Sequence, residues 1–172
     1  MSQQTQNLMK KISLAKVVLN MGIGKSGEPI ETGKKTLALI TGKKPNARNA
    51  KKSQRDWGVR KGEPIGVAVT VRGNDATELL KKLLVVKDNQ IAEKAFDNEG
   101  NLSFGLKEYI DIPEIKYDPK IGILGLEVSV SLARPGFNIK YNKSKAKVGK
   151  NHRITKNDAI KFLTEEFGVQ IV

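Results

Sequence analysis

The 172-residue chain has no cysteine and a single histidine, His152. Disulfides and thiolate metal ligands are therefore excluded, and one imidazole cannot build a His-rich metal site. The lack of cysteine fits a reducing compartment. No apolar run approaches the roughly 20 residues needed to cross a bilayer. The opening "MSQQTQNLMKKISL" lacks the apolar stretch and small-residue cleavage site of a signal peptide. There are no internal repeats. Acidic residues are also scarce, with 18 Asp and Glu against 31 Lys and Arg, a net charge of +13. Carboxylates such as Asp97 and Glu99, or Glu165 and Glu166, have no signature spacing. An enzyme is not expected, although a magnesium-dependent nuclease needs only carboxylates.

The positive excess points to a polyanion, with nucleic acid the first partner to test and an anionic membrane the second. Its distribution is uneven. Residues 1–86 carry 17 basic and 6 acidic side chains, residues 87–127 carry 5 and 9, and residues 128–172 carry 9 and 3. Two basic segments around an acidic middle suggest one side that meets a polyanion and another side that does not.

The remaining 38% of hydrophobic residues is enough for one core. Residues 15–21, "AKVVLNM", read as a buried strand. Pro29 can open a helix whose face carries Ile30, Leu37 and Ile40, with Gly42 as its stop. Gly33 should weaken that helix by about 1 kcal/mol relative to alanine. Residues 65–72 alternate, with Ile65, Val67, Val69 and Val71 opposite Gly66, Ala68, Thr70 and Arg72; the second face need not be buried. Asn74 or Asp75 can cap a helix with the stripe Leu79, Leu80, Leu83 and Leu84. Short elements and loops are expected over 87–120. Residues 123–132 give a second alternating strand, ended by "RPG". Thr155 and Asp158 fit a capping box for a last helix with Ala159, Ile160, Leu163 and Phe167, stopped by Gly168. The expected fold is α+β: an antiparallel or mixed sheet, helices packed on one face, and a polar open face on the other side.

Three stretches are candidate sites. The first, "NMGIGKSG" at 20–27, matches G-x-G-x-x-G. A dinucleotide site would need a following strand and an acidic residue about 20 positions on. Positions 43–55 contain no acid, and the position where a P-loop has its first glycine is Leu19. A strand-to-helix turn that uses glycine for positive φ explains the motif better, and neither reading excludes an approach to an RNA phosphate. The second is "GKKPNARNAKKSQRDWGVRKGEPIG" at 42–66, with eight basic residues and Trp57 next to Gly58. Charges for phosphates around a ring for stacking suit looped RNA; the alternative folds Trp57 back onto the core. The third is 128–157, with eight basic residues and no acid. It reads either as a basic arm that orders on RNA or as a solvated loop.

The segments "KVVLNMGIG", "TGKKPNARNAKKS", "GVRKGEPIGVAVTVRG" and "DNEGNLSFGLKEYIDIPEIKYDPKIGILGLEVSVSLARPG" resemble, in order and spacing, the large-subunit ribosomal protein L5 family (uL5). The likeness runs from about residue 12 to the end. The C-terminal "RPGFNIK…HRITKNDAIKFLTEEFGVQIV" resembles the archaeal and eukaryotic branch, and the short chain favours the archaeal one. The resemblance implies a single L5-like domain over 1–172, with protruding basic loops at about 46–64 and 134–153. It implies no cofactor, no small-molecule substrate and a cytoplasmic place on the ribosome. The partners it implies are 5S rRNA, the large-subunit rRNA, the P-site tRNA and a small-subunit protein of the S13 family. Carried onto matching motifs, the 5S contacts would be Asn20, Lys43, Lys44, Arg48, Thr70 and Arg72. Where many family members carry glutamine this chain has Lys43, which offers a phosphate contact in place of an amide contact. The tRNA loop would present Lys52, Arg55, Trp57, Arg60 and Lys61. Further rRNA contacts would come from Arg134, Lys140, Lys143, Lys145, Lys147, Lys150 and Arg153.

Overall fold

The computed structural model describes residues 7–24, 26–112, 124–141 and 147–172. Its first strand, β1 (Ser13–Gly22), alternates: Val17, Leu19 and Met21 are fully buried, while Lys16, Val18 and Asn20 are only partly so. The strand, read from the sequence as buried, thus has one face toward the core and one toward the opposite, more polar side. Helix α1 (Glu28–Thr41) follows. Pro29 sits in its first turn, where the missing amide costs nothing, and Gly42 ends it in the left-handed region at φ 62°.

Strand β2 (Asn46–Asn49) then pairs with β3 (Pro64–Val71), and helix α2 (Asn74–Val85) packs back against β1. Gly73, with φ 71°, occupies the N-cap of α2, and neither Asn74 nor Asp75 caps it by side chain. The helix starts one residue earlier than a side-chain cap would require. Asp75 instead lies in the first turn, where its charge suits the helix dipole. After α2 come β4 (Gln90–Ile91) and β5 (Leu102–Leu106), then β6 (Leu126–Ala133), α3 (Lys156–Phe167) and β7 (Gln170–Ile171). The turn "YDPK" lies outside the described residues.

The main sheet has the order β2-β3-β1-β6-β5 and is antiparallel at every pairing. The only parallel pairing among the described residues is the two-residue β4–β7 ladder, which ties the chain's end to the segment after α2. One face of the main sheet carries Val17, Leu19, Met21, Val67, Val69, Val71, Val128 and Val130, all buried. The helices cover this face, contributing Ile30 and Leu37, Leu80 and Leu83, and Ala159 and Leu163. Gly33 faces the same core. A Cβ there would come within 2.6 Å of Ile23 Cδ1 and 3.5 Å of Val67 Cγ2. Its cost in helix propensity accompanies a close helix–sheet approach. The capping box of α3 forms as expected, with Thr155 and Asp158 bonding reciprocally, and Gly168 ends the helix at φ 66°.

Candidate nucleic-acid interface

The strand registers set side chains of the open face in rows. Asn46, Ala68, Asn20, Glu127 and Gly105 are successive cross-strand partners from β2 to β5. Thr70, Val18, Ser129 and Ser103 form the next row, and Arg48, Gly66 and Gly22 flank the first on its other side. Apart from Val18 these are small or polar residues, so the surface is shallow and rich in hydrogen-bonding groups. Gly66 and Ala68 are nonetheless buried on this side. They lie in β3, inside the sheet, and a Cβ on Gly66 would stand 3.0 Å from the Met21 carbonyl oxygen.

Asn20 donates its amide to Glu127 Oε2 at 2.9 Å across β1 and β6. A carboxylate on this face limits where a phosphate can lie, and no motif in the sequence singles out Glu127. Thr70 lies on the neighbouring row and Arg72 follows directly after β3, exposed. Lys16, opposite Ser131 in β6, lines the same cleft as Arg72. Neither cation, nor Arg48, has an ion-pair partner among the described residues. Lys16 escapes a reading of "AKVVLNM" as a buried strand, because one lysine in a short apolar run does not show which face is open. Lys43 and Lys44 sit in the turn after α1. Lys43 pairs with Asp75 at 2.6 Å, and this contact, through its hydrogen bond and then its charge, holds the Asp75 carboxyl below its ordinary value. Both partners are about half exposed, so a phosphate can compete for the lysine with little penalty.

The loop expected at 46–64 begins with a sheet strand, so only residues 50–63 project. They form an ordered hairpin. The Ala50 amide donates to Glu63 O and the Gly62 amide to Ala50 O at its base, while Gln54 and Val59 exchange backbone bonds nearer the tip. Arg55–Trp57 make a single turn ended by Gly58 at φ 65°. Lys52, Arg55, Arg60 and Lys61 are exposed, and Trp57 is 78% exposed. Of the two readings of Trp57, the structure rejects the one that folds it onto the core.

The "NMGIGKSG" stretch is not a phosphate cradle. The amides of Ile23 and Gly24 both donate to the Ile65 carbonyl, at 3.0 and 2.8 Å. Glu28 and Glu31 occupy the first turn of α1, where a bound phosphate would meet two carboxylates. Gly24 and Gly27, at φ 77° and 95°, provide the turn. Lys25 lies outside the described residues.

The third stretch is better tied down than a free arm. Arg134 is only 11% exposed at its side chain and pairs with Asp158 at 3.1 Å. Its guanidinium also donates to the carbonyls of His152 and Arg153 at 3.4 and 3.1 Å. His152 Nε2 is 2.8 Å from the Pro135 carbonyl, an acceptor only, so that nitrogen carries the proton. The His152 ring meets Phe137 edge-on at 5.6 Å. The two ends of the basic segment are thereby fastened together. Arg134, expected to contact rRNA, forms an internal clasp, because its fork satisfies two backbone carbonyls and the capping aspartate of α3 at once. Arg153 donates from Nε to Val148 O, and Lys140 pairs with Glu99 at 3.1 Å. Lys147 and Lys150 are exposed. Lys143 and Lys145 lie outside the described residues. Lys16, Arg72, Lys140, Lys147 and Arg153 line one cleft of about 960 Å³, with the exposed ring of Tyr141 at its edge. Tyr141 is a second aromatic that sequence reasoning passed over among the lysines.

Among the described residues no group of three or more His, Cys, Asp or Glu could hold a metal ion. Asp97 and Glu99 belong to a turn: Asp97 Oδ1 accepts from the Glu99 and Asn101 amides. No described helix is long and apolar enough to cross a membrane.

Comparison with known proteins gives two matching family models. The model of ribosomal protein L5 matches residues 7–60, and that of the ribosomal L5 family C-terminus matches residues 64–162. The chain is 62% identical over 172 residues to the large ribosomal subunit protein uL5 of Nitrosopumilus maritimus, covering 99% of each chain. It is 57% identical over 165 residues to the uL5 of Cenarchaeum symbiosum, covering 95% of this chain and 98% of the other. The uL5 of Pyrobaculum aerophilum is 45% identical over 164 residues, 95% of this chain and 92% of its own.

Proposed function

The chain belongs to the ribosomal protein L5 family, archaeal in type, and is a structural component of the large ribosomal subunit; from that premise we propose that it binds 5S rRNA through the open face of its sheet. It works by recognition, without turnover. The observation that carries the reading is the pairing of a shallow polar sheet face with cations at its margins: Lys16, Arg48 and Arg72 beside Asn20 and Thr70. Cations position a phosphate backbone, while amide and hydroxyl groups distinguish one folded RNA from another.

Other parts take the remaining partners. The hairpin at 50–63 presents Trp57, Lys52, Arg55, Arg60 and Lys61 to the P-site tRNA, where a ring can stack and the cations follow the backbone. The cleft with Lys140, Lys147 and Arg153, together with Lys150, meets large-subunit rRNA. The acid-rich segment 87–127, apart from Ser103, Gly105 and Glu127 on the open face, suits the protein-facing side and hence the bridge to an S13-family protein. The test is binding to 5S rRNA, tRNA and an unrelated RNA over a salt series. The reading expects tight 5S binding whose selectivity survives added salt. Equal affinity for all three RNAs would sink it. The competing nucleotide-site reading needs NTP or NAD to raise the melting temperature, and the spent amides of Ile23 and Gly24 predict no shift at millimolar ligand.

A further inference from the structure

An RNA-facing hairpin with five cations in residues 50–63 has little use for acids, because each one repels the backbone it would approach. Two acids are nevertheless present. Asp56 accepts from Gln54 Nε2 at 3.3 Å and belongs to the turn near the tip. Glu63 stands at the base, and its two carboxylate oxygens serve two different parts of the molecule. Oε2 accepts from the Arg60 amide at 3.0 Å, inside the hairpin. Oε1 accepts from the Ser26 hydroxyl, in the glycine turn between β1 and α1. Two residues further on, the Ile65 carbonyl accepts from Ile23 and Gly24 in the same turn. Gly24, Ser26, Trp57, Gly58, Val59, Glu63 and Ile65 line one small notch, so the hairpin tip leans over the turn that Glu63 grips.

We propose that Glu63 is the positioning residue of the hairpin, splinting it to the glycine turn and so fixing the direction in which Trp57 is presented. The backbone bonds at Ala50 and the Gln54–Val59 bridge hold the hairpin's own shape. The Ser26–Glu63 bond adds a restraint on its angle to the sheet from outside the hairpin, because it joins a residue of the arm to a residue before α1. A carboxylate suits this place because it accepts from two donors at once, which an amide oxygen and its NH₂ cannot both do. The Ser26 hydroxyl and then the Arg60 amide hold the Glu63 carboxyl below its ordinary value of 4.5, so it stays ionised at neutral pH. The value of a fixed angle is a smaller ordering cost when the arm meets its partner. That benefit rests on the reading that the hairpin carries the tRNA contact; the positioning role does not.

The experiment uses the full chain and its single tryptophan. In Glu63→Ala the amplitude of fast Trp57 motion in time-resolved anisotropy should rise about twofold, since a tether becomes a hinge. Exchange of the Arg60 amide should accelerate about tenfold, while the β3 amides keep their protection. Ser26→Ala should raise the Trp57 motion and leave the Arg60 amide protected. Glu63→Gln should fall between wild type and Glu63→Ala. Unchanged Trp57 motion in both Glu63→Ala and Ser26→Ala would overturn the proposal, and the serine variant guards against a glutamate variant that fails to fold. Raised motion with unchanged tRNA affinity would support the positioning role and sink the tRNA reading. Lost tRNA affinity with Trp57 motion unchanged would mean that Glu63 acts on the RNA directly, and would also overturn the proposal.

Discussion

Replacing Arg134 by alanine separates the two roles this residue could have. Its guanidinium makes hydrogen bonds at 3.1 Å to Asp158, 3.1 Å to the Arg153 carbonyl and 3.4 Å to the His152 carbonyl. A bond to a charged group contributes about 1.5–3 kcal/mol, and breaking a buried pair costs about 3–5 kcal/mol. Three considerations reduce the sum. The bonds are not additive, Asp158 is 37% exposed and can recover water, and Arg134 Nε is buried without a partner. The expected loss is about 2–4 kcal/mol, which for a chain of this size lowers the melting temperature by about 5–15 °C. Arg134→Lys should recover only part, because an ammonium cannot reproduce the planar fork. Urea and thermal unfolding read the stability, and 5S rRNA affinity is measured well below the midpoint in parallel. Stability should fall sharply, and RNA affinity less than in Arg72→Ala. An unchanged melting temperature with a large loss of RNA affinity would refute the clasp and return Arg134 to the RNA surface.

Further outcomes follow from the same structure. Burial pushes the Asp158 carboxyl up, but its backbone and side-chain hydrogen bonds with Thr155 and the Arg134 charge outweigh that and leave it below its ordinary 3.8. A depressed folded value means the stabilisation is complete above the unfolded value and is lost as pH falls through the folded one. The stability difference between wild type and Asp158→Asn should therefore shrink below about pH 4, and a constant difference down to about pH 2 would argue against it. Arg72→Ala should weaken 5S binding about tenfold and reduce the salt slope by about one, with the melting temperature unchanged; unfolding would show the residue to be structural. Gly100→Ala should cost about 1–3 kcal/mol in urea titration, since its φ is 76° and a Cβ would lie 2.5 Å from Ile154 Cγ2. A neutral result would mean that the turn relaxes freely.

Much of the fold was legible because its signals are local. Leu126, Val128, Val130 and Leu132 alternate cleanly and are all buried on one side of β6. Thr155, Asp158 and Gly168 bound α3 as the capping pattern requires. Strand β5 was hidden, since Leu102–Leu106 is short and interrupted by Gly105, and it lies at the edge of the sheet, with β6 as its one ladder partner among the described residues. Of the residues proposed to face RNA, Thr70 and Arg72 could be placed by their period of two. Lys16 could not, because one lysine in a short apolar run does not show which face of the strand is open.

The sequence by itself determined the charge, the stops of α1 and α3, the faces of β3 and β6 and the family, all of which depend on composition or on residues a few positions apart. Which cations are free was decided only by the tertiary structure. Arg134 and Arg72 are alike on paper, yet one reaches Asp158 and two carbonyls, while the other stands exposed beyond β3. The same holds for "NMGIGKSG": the pattern shows three glycines, but the meaning of the turn lies in Ile65 and Glu63, about forty residues away. Partners that distant meet only because β1 and β3 pair in one register, and hydrogen bonding between them is a property of that pairing rather than of either segment.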